Sequence, residues 1–313
     1  MLGSVRRGFF VGLNTTWTLG KVIFPITIIV TLLQYTPVMK WAMNGITPLM
    51  GWIGLSGDAA IPLVLGNLLN LYAAIGAILS LDLTVKEVFI LAVMLSFSHN
   101  MIVESTVAKR VGVSIGLTIL VRVGLAIISA VVINLVWSGG GSLAQYGLIT
   151  KKEEVITGWG NILIDAFSKA GLGIFQLAMI VIPLMIVIQL LKDLQWLSMF
   201  SKWMSPFTRL LGMKENTSTT LAAGLLFGLA FGAGVMIQAA KEDGVSKKDL
   251  TLAFIFLVSC HAVVEDTLIF IPLGIPVLPL LIIRIVTAVL LTIIVAYVWK
   301  RVEVNRKEAS YEN

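Results

Sequence analysis

Long apolar runs alternate with short polar interruptions along most of the chain. They fall at residues 15–36, 41–55, 59–80, 86–106, 111–137, 169–191, 196–212, 217–240, 248–270 and 276–299. Several reach the roughly 20 residues that a helix needs to cross a bilayer, and the alternating pattern of barrel strands of about 10 residues is absent. The pattern predicts an all-α integral membrane protein. The run at 41–55 is shorter, which favours an interfacial or re-entrant helix.

The ten runs form two sets of five that repeat each other. At an offset of 158 residues, special backbone positions coincide: Pro25 with Pro183, Pro48 with Pro206, Gly54 with Gly212, and Gly66 with Gly224. After a four-residue insertion the offset becomes 162 and aligns Gly112 with Gly274 and Arg122 with Arg284. Such coincidence indicates an internal duplication.

The duplication predicts four regions. They are a first membrane repeat at 1–137, a linker at 138–160, a second membrane repeat at 161–299 and a polar, loosely ordered tail at 300–313. The linker combines a run of glycines with the charged stretch Lys151 to Glu154, which is typical of an exposed connector.

Basic residues change sides between the repeats. Lys109 and Arg110 flank a loop whose counterpart at 272–276 carries no charge. Because lysine and arginine mark cytoplasmic loops, this favours repeats that are inverted in the membrane, with both termini in the cytoplasm. Lys151 and Lys214 argue the other way, so two parallel halves of four spans each, with added interfacial helices, stay open.

The only two histidines occupy equivalent positions, since His99 and His261 are 162 residues apart. His99 lies 12 residues after Glu87, roughly 18 Å into a helix and so near the middle of a hydrocarbon core of about 30 Å. Each histidine is closely followed by carboxylates, Glu104 in the first copy and Glu265 and Asp266 in the second. Ionisable groups at this depth are costly, which indicates a functional site.

The spacing of these groups indicates either an interrupted helix or separate partners. Glu104 follows His99 by five residues, about 500° of helical rotation, so a straight helix would point the two side chains in different directions. Arg122 and Arg284 also fall near half-depth and need acid partners, for which Glu104 and Asp266 are the natural candidates. Structural ion pairs and arginine contacts to a substrate are both open readings.

We predict that polar residues of both repeats bind a substrate. The candidates are Asn67, Asn70, His99, Asn100, Glu104, Ser105, Arg122, His261, Glu265, Asp266, Thr267 and Arg284. Asn67 and Asn70 have Leu225 and Gly228 as counterparts, an asymmetry that could serve an asymmetric ligand or interhelical hydrogen bonds. No nucleophile–base order, phosphate loop or His-Glu-x-x-His sequence is present, so we expect no catalytic residue, no resident metal, no cofactor and no enzyme activity.

Composition agrees with a membrane protein. Hydrophobic residues make up 58% and charged residues 13% of 313 positions, with a formal charge of +6 and a single cysteine, Cys260. This leaves too little polar surface for a soluble globule or a nucleic-acid-binding face, and one cysteine cannot form an intrachain disulfide.

The second copy resembles a known family. The segment from His261 to Gly274, with its His-x-x-x-Glu-Asp-Thr order, is similar to that of nucleoside recognition (Gate) domain membrane proteins, and His99 to Gly112 resembles a degenerate copy. Gate domains also occur in concentrative nucleoside transporters, in the membrane part of ferrous iron transporter B and in spore maturation proteins. The resemblance implies a gated helical repeat. The chain shows no soluble GTP-binding domain and Cys260 has no counterpart in the first half, which argues against iron transport.

Together these features predict a multi-pass transporter or gated permease in the cell membrane. Its solute is expected to be small and polar, either nucleoside-like or an ion. We hypothesise that transport is coupled to protons or another cation through His99 and His261. The alternatives are a non-transporting component of envelope or spore-maturation type, and an intramembrane metal-dependent enzyme, although the spacing matches no zinc or iron motif. The expected partners are the solute and the lipid bilayer, not nucleic acid, and a homo-oligomer is left open.

Overall fold

The computed structural model describes residues 2–147 and 158–311, and nearly all of this part of the chain is helical. The α-helices are α1 Leu2–Gln34, α2 Pro37–Trp52, α3 Ala60–Leu68, α4 Leu71–Ile78, α5 Val85–Ser98, α6 Met101–Val111, α7 Ile115–Val136, α8 Trp159–Asp193, α9 Trp196–Leu210, α10 Ser218–Glu242, α11 Lys247–Ser259, α12 Glu265–Leu268 and α13 Val277–Tyr311. Each of the ten predicted apolar runs coincides with one or two of these helices, which confirms the helical fold class.

The two repeats also match in their helix boundaries. Short 3-10 turns at Gly57–Ala59 and Glu215–Thr217 are offset by 158 residues. Helices α7 and α13 begin at Ile115 and Val277, which are offset by 162. The duplication seen in the sequence is therefore also present in these helix boundaries.

The same chemistry starts helices α5 and α11. The hydroxyl of Thr84 accepts the backbone N–H of Glu87 (3.2 Å), and that of Ser246 accepts the N–H of Asp249 (3.1 Å). Glu87 also accepts the backbone N–H of Thr84 at 2.8 Å, which completes a capping box. Amides at a helix start have no partner within the helix, so these caps fix where both helices begin.

Five helical segments of the described chain are long and apolar enough to cross a membrane, or six if a bent pair counts as one span. The bent pair, Asn44–Trp52 with Gly57–Leu68, turns by 84° and contains the run predicted to be interfacial or re-entrant. The span Val85–Val111, which comprises α5 and α6, has 78% of its apolar window buried inside the protein, against 22–28% for the other four. Its polar interruption is therefore surrounded by protein, where non-helical backbone is tolerated at membrane depth.

The chain divides into two compact units, and the first comprises Met1–Ile102, Val123–Asp193 and Val264–Leu281. In it α1 packs along α8, and their backbones approach so closely that a Cβ on Gly8 would lie 2.5 Å from the Cα of Ile186. Helix α1 also contacts α4, where the Thr27 hydroxyl donates to the Gly76 carbonyl at 3.1 Å. Most of this unit is first repeat, but residues 161–193 and 264–281 belong to the second.

The start of the predicted linker lies in this first unit, is largely exposed and pairs with the backbone at the start of α5. The carbonyls of Gly140 and Ser142 accept the N–H groups of Lys86 and Val85, each at 2.9 Å. Tyr146 is 1% exposed and donates its hydroxyl to the Leu81 carbonyl at 3.0 Å. Backbone pairing, which composition does not encode, holds residues 138–147 against the start of α5. The charged stretch 151–154 lies outside the described residues.

The second unit comprises Val103–Arg122, Leu194–Val263 and Ile282–Asn313. In it α10 packs on α9 and α11, and a Cβ on Gly224 would lie 2.5 Å from the Leu257 side chain. Most of this unit is second repeat, but 103–122 belongs to the first. The two repeats thus exchange the equivalent segments 103–122 and 264–281, whereas α1 and its counterpart α8 both lie in the first unit.

Helix α13 continues into the segment predicted to be a polar tail and ends at Tyr311. Its last turns include Arg306, Lys307, Glu308 and Ala309, residue types with high helix propensity.

Candidate functional site

Helix α5 ends at the first histidine. The ring Nδ1 of His99 lies 2.7 Å from the Leu95 carbonyl oxygen, and Asn100 adopts a left-handed backbone conformation with φ 54°. The N–H of Asn100 then donates to the carbonyl of Gly66 on α3 at 2.8 Å. The chain resumes as α6 one residue later. The sequence left open whether this helix breaks, and the structure shows that it does.

The second repeat has the same break. His261 Nδ1 lies 2.8 Å from the Leu257 carbonyl oxygen, and Ala262 has φ 41°. The N–H of Ala262 donates to the carbonyl of Gly224 at 3.1 Å. Ala262 is the repeat equivalent of Asn100, and Gly224 is the repeat equivalent of Gly66. The same backbone hydrogen bond therefore occurs in both repeats.

The helices that receive these bonds are themselves interrupted. Between α3 and α4 the chain is extended at Asn70 (φ −168°, ψ 168°), and in α10 it is non-helical at the equivalent Gly228 (φ 74°, ψ 176°). A Cβ on Gly228 would lie 3.1 Å from the Cβ of Ala262. Each repeat therefore contains a pair of discontinuous helices in contact, α3 with α5 and α10 with α11.

In the second unit the break carries a buried ionic cluster. Glu104 on α6 lies 2.9 Å from the guanidinium of Arg122 on α7 through Oε2, and its Oε1 lies 3.3 Å from His261 Nε2. Arg284 on α13 donates to the His261 carbonyl at 2.6 Å. All four side chains are almost completely buried. The Glu104–Arg122 pairing expected from the sequence is present, whereas the pairing of Arg284 with Asp266 stays a prediction.

The tautomer of each histidine follows from its carbonyl neighbour. A carbonyl oxygen can only accept, so the bonds to Leu95 and Leu257 require that Nδ1 carries the proton. In His261 the titrating nitrogen is therefore Nε2, which faces Glu104. An imidazole held in this way can gain or lose a proton at one defined atom.

The first unit contains the equivalent histidine with a carboxylate. Ligating atoms of His99 and Asp266 lie within 4.8 Å of each other, and both side chains are buried. Next to Asp266, Glu265 accepts the hydroxyl of Tyr72 at 2.5 Å. Asp266 is the repeat counterpart of Glu104, so each histidine of one repeat lies near the matched carboxylate of the other.

The remaining candidates occupy polar positions around the breaks. Ser105 on α6 and Thr267 on α12 are buried repeat equivalents. Asn67 donates to the Leu63 carbonyl at 2.7 Å within α3, and Asn70 caps α4 by accepting the N–H of Ala73 at 2.9 Å. Each bond joins residues only three or four positions apart, so neither is the interhelical hydrogen bond that was considered for the asparagines.

Sequence reasoning missed two residues of the site. In the sequence, Gly228 stood out as the counterpart of Asn70. Glycine and asparagine both tolerate non-helical backbone, so this pair of residue types could have indicated the break in the second repeat. Tyr72 follows Asn70 by two residues in an apolar run, where a buried hydroxyl needs a partner. That signal does not name Glu265 as the partner.

Comparisons with known proteins place the chain in a family. The nucleoside recognition (Gate) family matches residues 16–116 and 174–290, one segment in each repeat. The chain is 66% identical over 294 residues to the uncharacterized membrane protein YvoD of Bacillus subtilis (strain 168), covering 94% of both chains. No solved structure matches. The chain is a multi-pass membrane protein that belongs to the nucleoside recognition (Gate) family.

Proposed function

We propose that this protein is a membrane transporter or gated permease for a small polar solute. The observation that carries the proposal is the matched pair of helix breaks, in which Asn100 and Ala262 donate to the carbonyls of Gly66 and Gly224. At membrane depth, non-helical backbone is tolerated only where it is buried in protein or lines a water-filled cavity. Many secondary transporters build their binding sites in this way, at the interface of duplicated halves.

The solute that fits best is uncharged and rich in hydrogen-bonding groups. Hydroxyl and amide side chains border the breaks in Ser105, Thr267, Asn67 and Asn70, whereas Arg122 already has Glu104 as its counter-ion. Sugar hydroxyls and nucleobase edges have matching donors and acceptors. The description of the family makes nucleosides the first class to test.

Proton coupling is proposed to run through the histidines. His261 has one ring nitrogen fixed by a carbonyl and the other 3.3 Å from Glu104, so protonation at Nε2 would change the charge beside a buried ion pair. A change of charge at a helix break alters the relative stability of two conformations, which is what alternating access requires. The proposal includes no catalytic step and no cofactor.

The direct test is flux and binding with purified full-length protein. We expect tritiated uridine, or another member of a panel of nucleosides, nucleobases and small ions, to exchange into proteoliposomes and to accumulate when a proton gradient is imposed. The same solute should stabilise the protein against unfolding, by about 2.7 kcal/mol at 100 times its dissociation constant.

Variants separate coupling from binding. His99→Ala and His261→Ala should lose the dependence of uptake on the proton gradient, whereas Lys109→Ala, an exposed position at the end of α6, should retain it. Absence of both flux and stabilisation across the whole panel would overturn the transport proposal and favour a non-transporting membrane component. Uptake that responds to pH equally with and without the two histidines would overturn the coupling.

A further inference from the structure

Helix α9 has a buried stripe and an exposed apolar stripe. Ser201 and Thr208 are buried, and the Ser201 hydroxyl lies 3.0 Å from that of Ser218 at the start of α10. Trp203 and Leu210 are 65% and 64% exposed. The members of each pair are seven positions apart, nearly two turns of an α-helix, so each pair lies along one side. One side of α9 therefore packs on the protein, and another presents large apolar groups to the surroundings.

A basic stripe lies between these two. Lys202 and Arg209 are exposed and are also seven positions apart. Lys202 comes between Ser201 and Trp203 in the chain, and successive residues are rotated by about 100° around a helix. The basic stripe is therefore about 100° from each of the other two. The 15 residues of α9 include no aspartate or glutamate.

Three such stripes fit a helix that lies in the plane of the membrane surface. With 15 residues, α9 is about 22 Å long, which is shorter than the hydrocarbon core of roughly 30 Å. In the described part of the chain it is not among the segments able to cross a membrane. Helices with separate apolar and basic sides lie along the interface with the apolar side among acyl chains, and tryptophan favours the same layer. Trp203 and Leu210 then contact lipid, not water.

The basic stripe meets little counter-charge. Lys214, which follows the end of α9, is also exposed. Within the described residues no carboxylate pairs with Lys202 or Lys214. Arg209 contacts the carboxylate of Glu215, but the two side chains are 71% and 44% exposed. An exposed pair of this kind contributes little to stability, so a lipid phosphate can replace Glu215 at the guanidinium.

The first repeat does not have these charges. The counterpart of α9 is α2, in which Lys40 is the one basic residue and corresponds to Ser198. The positions equivalent to Lys202, Arg209 and Lys214 are uncharged: Asn44, Gly51 and Ser56. A structural role common to both repeats therefore does not explain the lysines and the arginine.

We propose that α9 lies at the membrane surface and binds anionic phospholipid, with Lys202 and Arg209 holding headgroup phosphates and the acyl chains covering Trp203 and Leu210. Basic residues at a membrane surface attract anionic lipid in this way. A soluble phosphate would neutralise the basic stripe but leave the apolar stripe in water, whereas a phospholipid covers both. Lipid binding at α9 is independent of the proposed transport function, and its tests include no transport measurement.

The position of α9 can be measured with single spin labels. Cys260 is the only cysteine of the sequence and is buried, so Cys260→Ala allows one label at a chosen position. In nanodiscs of phosphatidylglycerol and phosphatidylcholine, a label at Trp203→Cys should be more accessible to oxygen than to a water-soluble nickel complex. The matched label at Ser198→Cys, exposed and one turn before Lys202, should show the opposite order. The same order at both positions would overturn the interfacial placement.

The lipid class can be tested by titrating the purified full-length protein with each phospholipid and counting bound lipids by native mass spectrometry. Wild type should bind phosphatidylglycerol more tightly than phosphatidylcholine. Lys202→Gln combined with Arg209→Gln should weaken phosphatidylglycerol binding by about 25-fold, since one basic residue near a membrane surface contributes about fivefold. Arg301→Gln, which removes another exposed arginine beside an aromatic ring (4.7 Å from Tyr297), should bind as wild type does.

The outcomes that contradict lipid binding at α9 are distinct. Wild type without a preference for phosphatidylglycerol would exclude an anionic-lipid site, even if the double variant does not fold. Unchanged binding in the double variant, or equal weakening by Arg301→Gln, would show that α9 is not the site. Displacement of the lipid by excess inorganic phosphate would show that the basic stripe binds a soluble anion instead.

Discussion

The Nε2 atom of His261 lies 3.3 Å from the Oε1 atom of Glu104, although the two residues belong to different copies of the internal repeat. The other oxygen of Glu104 faces Arg122 at 2.9 Å. One carboxylate thus connects the fixed charge of an arginine to the titratable ring of a histidine. This arrangement makes the charge state of His261 dependent on a residue more than 150 positions earlier in the chain.

The Glu104–Arg122 pair can be tested by removing one charge at a time. Arg122→Met should destabilise the protein by about 3–5 kcal/mol, because Glu104 is left as a buried charge without its guanidinium neighbour. The double variant Arg122→Met with Glu104→Gln should recover most of this loss. Unfolding in detergent measures both, with the exposed Arg110→Met as control, expected within about 0.5 kcal/mol of wild type. A double variant no more stable than Arg122→Met alone would contradict a charge-based explanation.

The left-handed backbone at Ala262 predicts that an alanine-to-glycine substitution has opposite effects on stability at the break and inside a regular helix. Ala262 has φ 41°, a conformation that costs residues with a Cβ about 1–2 kcal/mol. Ala262→Gly should therefore leave the free energy of unfolding unchanged or raise it by up to about 1 kcal/mol. The same change at Ala178, inside helix α8, should lower it by about 1 kcal/mol. Equal losses at both positions, measured by chemical unfolding, would argue against the strained conformation at the break.

Close packing of α1 on α8 makes Gly8 sensitive to a single added methyl group. A Cβ there would lie 2.5 Å from the Cα of Ile186, a backbone atom that cannot rotate away. Gly8→Ala should cost about 1–3 kcal/mol as the helices separate. Gly171→Ala on α8, where a Cβ meets nothing within 4 Å, is the matched control and should be neutral or stabilising. Thermal unfolding of the two variants side by side decides the outcome.

Tyr146 gives a pH-dependent prediction away from the membrane spans. Burial raises the pKa of Tyr146 above its ordinary value of 10.0. The folded state then holds the phenol proton that the unfolded state loses, so the stabilisation is fully present below pH about 10 and is lost as pH rises above it. Tyr146→Phe should weaken this alkaline loss and cost about 1 kcal/mol at neutral pH through the missing bond to Leu81. The exposed Tyr297→Phe should change neither quantity, and alkaline unfolding curves identical for all three proteins would refute the prediction.

The sequence was sufficient for the parts of the fold that repeat. Apolar runs located the helices, and the caps at Thr84 and Ser246 follow directly from residue type. The break at His99 could be foreseen as one of two solutions, because five residues cannot place His99 and Glu104 on one face of a straight helix. In each case a local rule of periodicity or capping determines the outcome.

The rest depends on contacts that no local rule encodes. An offset of 162 makes Glu104 and Asp266 equivalent, but it does not reveal that each lies near the histidine of the other repeat. Tyr72 and Glu265 have no polar counterparts, so repeat analysis cannot pair them. The backbone pairing of Gly140 with Lys86 leaves no side-chain signal, so composition could indicate an exposed stretch but not its attachment to the start of α5.

The exchange of segments 103–122 and 264–281 makes the two copies depend on each other. Each histidine lies near the carboxylate of the other copy, so a change in the carboxylate of one copy alters the surroundings of the other copy's histidine. Glu265 opposite Val103 shows that the two copies have diverged directly beside this carboxylate.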